Sequence, residues 1–269
     1  MTPPPVRSDR RISSDFASQT GYGVISGTSS FEVTEHGGID PQRESARFVA
    51  KHLSAYYLAL KYAKGKVLEI GSGDGYGSSL LADHAQDVTG IDLFESNVRI
   101  ASAKYIKKNL KFLQMNATNL DFNKQYFDLI VSFQVIEHIP QAQLPVYIEQ
   151  IKKVLSKNGT VCLSTLNLNK NLKPGQPYDK APHHDKEFTP EEFRFFLKPF
   201  FKQVTLHGLY PTFKHAFMER LKKSGLFRAM PRKLDPVQSF YKGITVKDFK
   251  WISKTSIDDC LDLMAVCHN

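Results

Sequence analysis

Residues 67–77 read VLEIGSGDGYG: a short apolar run carrying Glu69, then four glycines, Gly71, Gly73, Gly75 and Gly77, at every second position. Glycine lets another molecule approach the main chain closely. The segment KVLEIG (66–71) therefore reads as a short apolar strand that stops at a bare turn, and residues 75–86 read as the helix that follows.

The same alternation continues downstream. Strands are expected at 87–92 (DVTGID), 110–116 (LKFLQMN), 127–134 (FDLIVSFQ) and 160–167 (TVCLSTLN), with a helix over Ser96–Lys107. Between Pro140 and Lys157, Leu144, Tyr147, Ile148, Ile151, Val154 and Leu155 recur at three- and four-residue spacing, which predicts a helix ended by Asn158-Gly159. Phe48, Leu53, Tyr56, Tyr57 and Leu60 mark an earlier helical stripe between Pro41 and Lys64. Thr189-Pro190-Glu191-Glu192 is a capping box with proline at the first helical position. KQVTLHGLY and CLDLMAVCHN supply two late strands.

Short apolar strands alternating with helices imply an α/β fold, a mostly parallel sheet covered on both faces. Right-handed crossovers place the glycine turn at the carboxyl edge of that sheet, where ligands bind. Residues 1–40, rich in Ser, Gly, Thr and Pro, read as a flexible leader to a domain over 41–269.

The turn is a poor dinucleotide fingerprint, because position 76 is Tyr, and no G-K-[ST] follows to make a P-loop. Glu69 would repel a pyrophosphate and favour a cation. Asp92, at the end of the second strand, is placed to accept hydrogen bonds from ribose hydroxyls. The ligand so deduced is a nucleoside with a compact positive tail.

These segments resemble those of class I S-adenosylmethionine-dependent methyltransferases. VLEIGSGDGYG is similar to the first motif of that family, VTGIDL to its second, LQMNATNLDF to the adenine-bordering segment, and FDLIVSFQVIEHI to the motif that closes the cofactor pocket. The resemblance implies a Rossmann-like seven-stranded sheet with its last strand antiparallel, and S-adenosylmethionine as cofactor. It also implies that Glu69, Gly71, Ser72, Gly73, Gly75 and Tyr76 surround the methionine and adenosine side. Asp92 would hold the ribose, Leu93, Asn116 and Ala117 the adenine, and Gln134 the methionine portion. Asn116 departs from the family's usual Asp, although its side-chain carbonyl can still accept a hydrogen bond.

On the acceptor side, His138 follows the fourth strand and His183 and His184 lie in the loop after the fifth. All three are candidates for contact with the acceptor or for base catalysis, because imidazole titrates near neutrality. His183-His184-Asp185 is a thin ligand set with no acidic cluster spaced to complete it, so no metal is expected. The long connection 211–259 between the last two expected strands should emerge at the ligand edge as a lid or acceptor surface.

The formal charge is +9, and 214–233 holds seven Lys/Arg against one Glu, interleaved with apolar residues. Such a segment suits peripheral contact with an anionic membrane. A basic surface without a nucleic-acid-binding module is a weak signal for nucleic acid. The three cysteines lack metal spacing and their odd number argues against a disulfide framework, which suggests a cytoplasmic protein. SFQV stands in place of the N-P-P-[YF] expected for methylation of an amino nitrogen on a base or amide. O-methylation of a sugar or surface-glycan precursor is the leading expectation. A lipid or isoprenoid acceptor is the alternative, and a non-catalytic cofactor-binding scaffold is a third reading.

Overall fold

The structure, a computed structural model, describes residues 44–172, 178, 180–227, 230 and 234–269. The expected leader, 1–40, lies outside the described residues, as do parts of 214–233 and of the loop after the fifth strand. In chain order the strands are β1 (Lys66–Ile70), β2 (Asp87–Asp92), β3 (Leu110–Gln114), β4 (Phe127–Phe133), β5 (Leu155–Leu166), β6 (Gln203–Pro211), β7 (Phe249–Ile252) and β8 (Asp262–His268). The α-helices are α1 (Ala46–Ala59), α2 (Tyr76–Ala82), α3 (Glu95–Lys104), α4 (Leu144–Val154), α5 (Leu168–Asn171), α6 (Pro190–Leu197), α7 (Phe213–Ser224) and α8 (Pro236–Lys242).

One sheet runs in the order β3-β2-β1-β4-β5-β8-β6-β7. Strands β3 to β5 pair in parallel, β8 is antiparallel to both β5 and β6, and β7 is antiparallel to β6. The carboxyl ends of β1, β2, β4, β5 and β6 therefore share one edge. The connection from β6 to β8 leaves the sheet there too.

Alternate residues of the central strands feed opposite faces, as the period of two requires. Leu68, Ile70, Ile130 and Leu163 join the layer beneath α4 and α6. Val67, Leu129, Val131 and Cys162 join the layer beneath α1 and α2. Each such side chain, fully buried, contributes about 1.5–3 kcal/mol of apolar transfer.

Three expectations need correction. The described sheet has eight strands and not seven, because residues 249–252 of the late connection form β7 and extend it. Helix α4 ends at Val154, and Asn158-Gly159 lies inside β5. Leu155 turns extended and pairs with Phe127, after which the register jumps to Thr160 opposite Leu129. The glycine thus marks a strand irregularity, the other place where an isolated glycine belongs. Helix α2 stops at Ala82, short of 86, because Asn109 Nδ2 donates to the carbonyls of Ala82 and Ala85 at 2.8 and 3.0 Å.

The aromatic part of the late connection is folded down. Phe249 and Ile244 are buried with Ala50 of α1 and Leu209 of β6, and Phe240 and Trp251 pack around them.

Candidate active site

The turn after β1 is built from left-handed backbone: φ is 76° at Gly71, 53° at Gly73 and 90° at Gly75. A methyl group at position 71 would also lie 2.4 Å from Val135 Cγ2, so a residue with a side chain does not fit there without a shift. The N–H groups of Gly71 and Ser72 donate to the Ile91 carbonyl at 2.8 and 2.9 Å, which ties the turn to β2.

Asp92 completes that tie. Its Oδ2 accepts from Gly73 N–H at 2.9 Å, and its Oδ1 accepts from Phe94 N–H at 3.0 Å and Asn97 Nδ2 at 3.1 Å. A carboxylate offers about four lone-pair sites, so a ribose hydroxyl can still be accepted beside these three donors. Asp74 is fixed by Lys104 Nζ at 2.7 Å.

Glu69 lies behind the turn, only 1% exposed. The Tyr56 hydroxyl donates to its Oε1 at 2.5 Å and the Ser78 hydroxyl donates to its Oε2. Burial pushes this carboxyl up to about 7, against the opposing pull of those two hydrogen bonds. Both of its oxygens are thereby committed within the chain.

Leu93 stands 53% exposed at the tip of β2. Asn116, just past β3, accepts from the Thr118 N–H and hydroxyl through its Oδ1, both at 2.9 Å. Ala117 packs against the core, Ser72 is buried, and Tyr76 sits edge-on to Tyr56 at 5.5 Å.

Gln134 follows β4 with φ 56°, an uncommon conformation for a residue with a side chain and one that concentrates at functional sites. Its N–H donates to the Ser164 carbonyl at 2.9 Å. One turn further on, Glu137 is 1% exposed, and its Oε2 has no hydrogen-bond partner among the described residues. The Glu137 carbonyl accepts from Asp185 N–H at 2.7 Å, which brings the loop after β5 over this turn.

His138 and His184 meet as a result, with ring centroids 4.9 Å apart and planes 77° to each other. His138 Nδ1 donates to the His183 carbonyl at 2.9 Å, so His183 enters the cluster through its backbone. His184 Nδ1 faces Glu187 Oε1 at 2.5 Å, and the Tyr178 hydroxyl donates to the other Glu187 oxygen. Burial disfavours charge on both partners: it raises the Glu187 carboxyl and pulls the His184 imidazole down to about 4.

Sequence reasoning placed Tyr56 in a helical stripe, set Glu137 aside because it makes no carboxylate pair with His138, and passed over Ser78, Asn97 and Glu187. The available signal for Tyr56 was its position one helix before the glycine turn.

The surface between these groups fits S-adenosylmethionine: a left-handed glycine backbone at Gly71, a buried Ser72 Oγ with no partner among the described residues beside it, a carboxylate with remaining acceptor capacity at Asp92, and a buried acid behind the turn. A family model described as a methyltransferase domain matches residues 68–163. A probable S-adenosylmethionine-dependent methyltransferase of Mycolicibacterium smegmatis is 34% identical over 142 residues, which is 52% of this chain and 53% of that protein. One of Mycobacterium tuberculosis with the same description is 28% identical over 78% of each chain. A ubiquinone biosynthesis O-methyltransferase of Rickettsia conorii is 34% identical over 40% of this chain and 37% of its own. The chain thus spans about half the length of the first of these relatives and less of the last. Among solved structures, an S-adenosylmethionine-dependent methyltransferase from Archaeoglobus fulgidus shares the fold with a TM-score of 0.54 at 15% identity, over 84% of this chain and 96% of that one. Motifs, sheet order and relatives agree in supporting a class I S-adenosylmethionine-dependent methyltransferase, with the methyltransferase domain over residues 68–163.

Proposed function

We propose that this chain transfers a methyl group from S-adenosylmethionine to a hydroxyl oxygen of a small molecule, with a sugar or surface-glycan precursor as the acceptor. The observation that carries the reading is the position of the His138–His184 pair, one turn beyond Gln134 on the edge that also holds the glycine turn. The bound cofactor supplies a methyl already activated on a sulfonium. The chain's own task is alignment, worth roughly 7–11 kcal/mol at best. Gly71, Ser72, Gly73, Gly75, Tyr76, Asp92, Leu93, Asn116, Ala117 and Gln134 hold the cofactor, with Glu69 behind them. His138 and His184, oriented by the His183 carbonyl and Glu187, meet the acceptor hydroxyl. A corner rich in hydrogen-bonding groups suits a polyol.

A lipid or isoprenoid acceptor is the second reading, favoured by two observations. Relatives include proteins named as ubiquinone biosynthesis O-methyltransferases. Helix α7 also exposes Phe213 at 86% and Phe217 among its lysines, at the ligand edge, as a membrane-seeking lid would. No described helix is long and apolar enough to cross a membrane, so any contact through 214–233 would be peripheral. Three buried free cysteines suit a reducing, cytoplasmic setting.

Labelled methyl transfer from S-adenosylmethionine into fractionated cell extract tests the reading. Label in nucleotide-sugar or glycan pools is expected. Label in lipid selects the second reading, and label in RNA or protein overturns both. Cofactor binding with no transfer to any pool would indicate a scaffold.

A further inference from the structure

The fold assembles a side-chain set that the run His183-His184-Asp185 does not contain. Glu137, His138 and His184 each present one donor atom, and the three donors lie within 4.8 Å of one another. Two come from the turn after β4 and one from the loop after β5, so only the folded chain brings them together. We propose that these three residues form a binding site for a first-row divalent cation such as Mn2+ or Zn2+.

Three independent features point to a cation. Glu137 is buried at the base of the cluster, its Oε2 has no hydrogen-bond partner among the described residues, and leaving a buried polar oxygen unpaired carries a desolvation cost. A bound cation removes it. Both imidazoles are oriented as metal-ligating histidines usually are, with one ring nitrogen held by an oxygen acceptor. His138 Nδ1 is held by the His183 carbonyl and His184 Nδ1 by the Glu187 carboxylate; with Nδ1 as the N–H donor in each ring, Nε2 keeps its lone pair. The donor set itself, two imidazoles and one carboxylate, is of the kind that binds Zn2+ and other first-row ions with coordination positions left open. Donors at about 2.1 Å from one ion can be no more than about 4.2 Å apart. Binding therefore requires the donors, now within 4.8 Å of one another, to close by roughly half an ångström.

The open positions face the corner assigned to the acceptor. A hydroxyl oxygen bound there would be held for attack and made more acidic, so that its proton leaves to water as the O–CH3 bond forms and the S–CH3 bond breaks with its electron pair on sulfur. That role rests on the methyl-transfer reading; the site itself does not. Glu187 is a positioning residue: it holds His184 and does not belong to the donor set.

The test uses the full chain, stripped with a chelator and titrated with Mn2+ by electron paramagnetic resonance, then with Zn2+ in competition. One equivalent per chain is expected. His184→Ala, Glu137→Gln and His138→Ala should each weaken binding by at least about 10-fold, and Glu187→Gln by roughly 10- to 100-fold. His183→Ala, which keeps the carbonyl, should still bind the ion. Because Glu137 is buried and its variant can misfold, the exposed His138→Ala variant, checked by its metal-free unfolding temperature, keeps the proposal open to refutation. Substoichiometric uptake, or uptake indifferent to these substitutions, overturns it. S-adenosylmethionine affinity is measured on the same samples: if it stays intact while no ion binds, the metal site alone falls.

Discussion

Two corners of the same sheet edge treat their buried carboxylates in opposite ways. Behind the glycine turn, Glu69 has a hydroxyl on each oxygen and Asp92 accepts three protein hydrogen bonds. After β4, Glu137 is equally buried and keeps an oxygen with no partner among the described residues. The first corner is completed by its own chain and is preorganised for its ligand. The second is left for something else to complete.

The comparison breaks most readily at Gly71. Replacement by Ala forces a left-handed backbone on a residue with a side chain and drives its Cβ into Val135. Loss of measurable S-adenosylmethionine binding by calorimetry is expected, with a lowered unfolding temperature. An unchanged affinity would mean that the cofactor corner is not rigidly preorganised.

The next effect is a pH dependence. Burial holds the Glu69 carboxyl at about 7, against an ordinary 4.5. Between those values the folded chain keeps a proton that the unfolded chain has released. Stability therefore falls as pH rises from about 4.5 to about 7 and levels off above, by at most about 3 kcal/mol from this group. Denaturant titrations of the parent and Glu69→Gln across pH 4–8 should show the parent's advantage shrinking over that window. A constant difference would place Glu69 in a wetter environment than its burial indicates.

Asp92→Ala should weaken cofactor binding by about 1–3 kcal/mol, through loss of the ribose acceptor and of the three donors it fixes. The smallest effect belongs to the other corner. In metal-free protein, Glu137→Gln should move stability by less than Glu69→Gln does, since Oε2 has no hydrogen-bond partner to lose among the described residues. A cost as large as that of Glu69→Gln would erase the contrast between the corners.

The legibility of the sequence follows the same division. The glycine turn, Asp92 and the parallel strands could be read because each rests on neighbours in the chain: an apolar run, a left-handed turn, an acid at a strand end. The cluster of Glu137, His138, His184 and Glu187 could be read only in part, because a hydrogen bond between Asp185 N–H and the Glu137 carbonyl brings its two loops together. No spacing rule contains that contact. Asn158-Gly159 misled for a related reason. Helix end and strand irregularity call for the same residues, and only the pairing of Leu155 with Phe127 decides between them.

Strand β8 carries a consequence for the order in which the molecule assembles. It lies between β5 and β6 and joins them, and Thr160 pairs with His268 far along the chain. As the polypeptide emerges from the ribosome, β1 to β5 can dock while β6 and β7 form a separate antiparallel pair. Each then presents an open row of N–H and C=O groups, the state in which sheets recruit wrong partners. The strand that joins the two halves is the last to arrive, so its delay sets how long the nascent chain depends on protection from its neighbours.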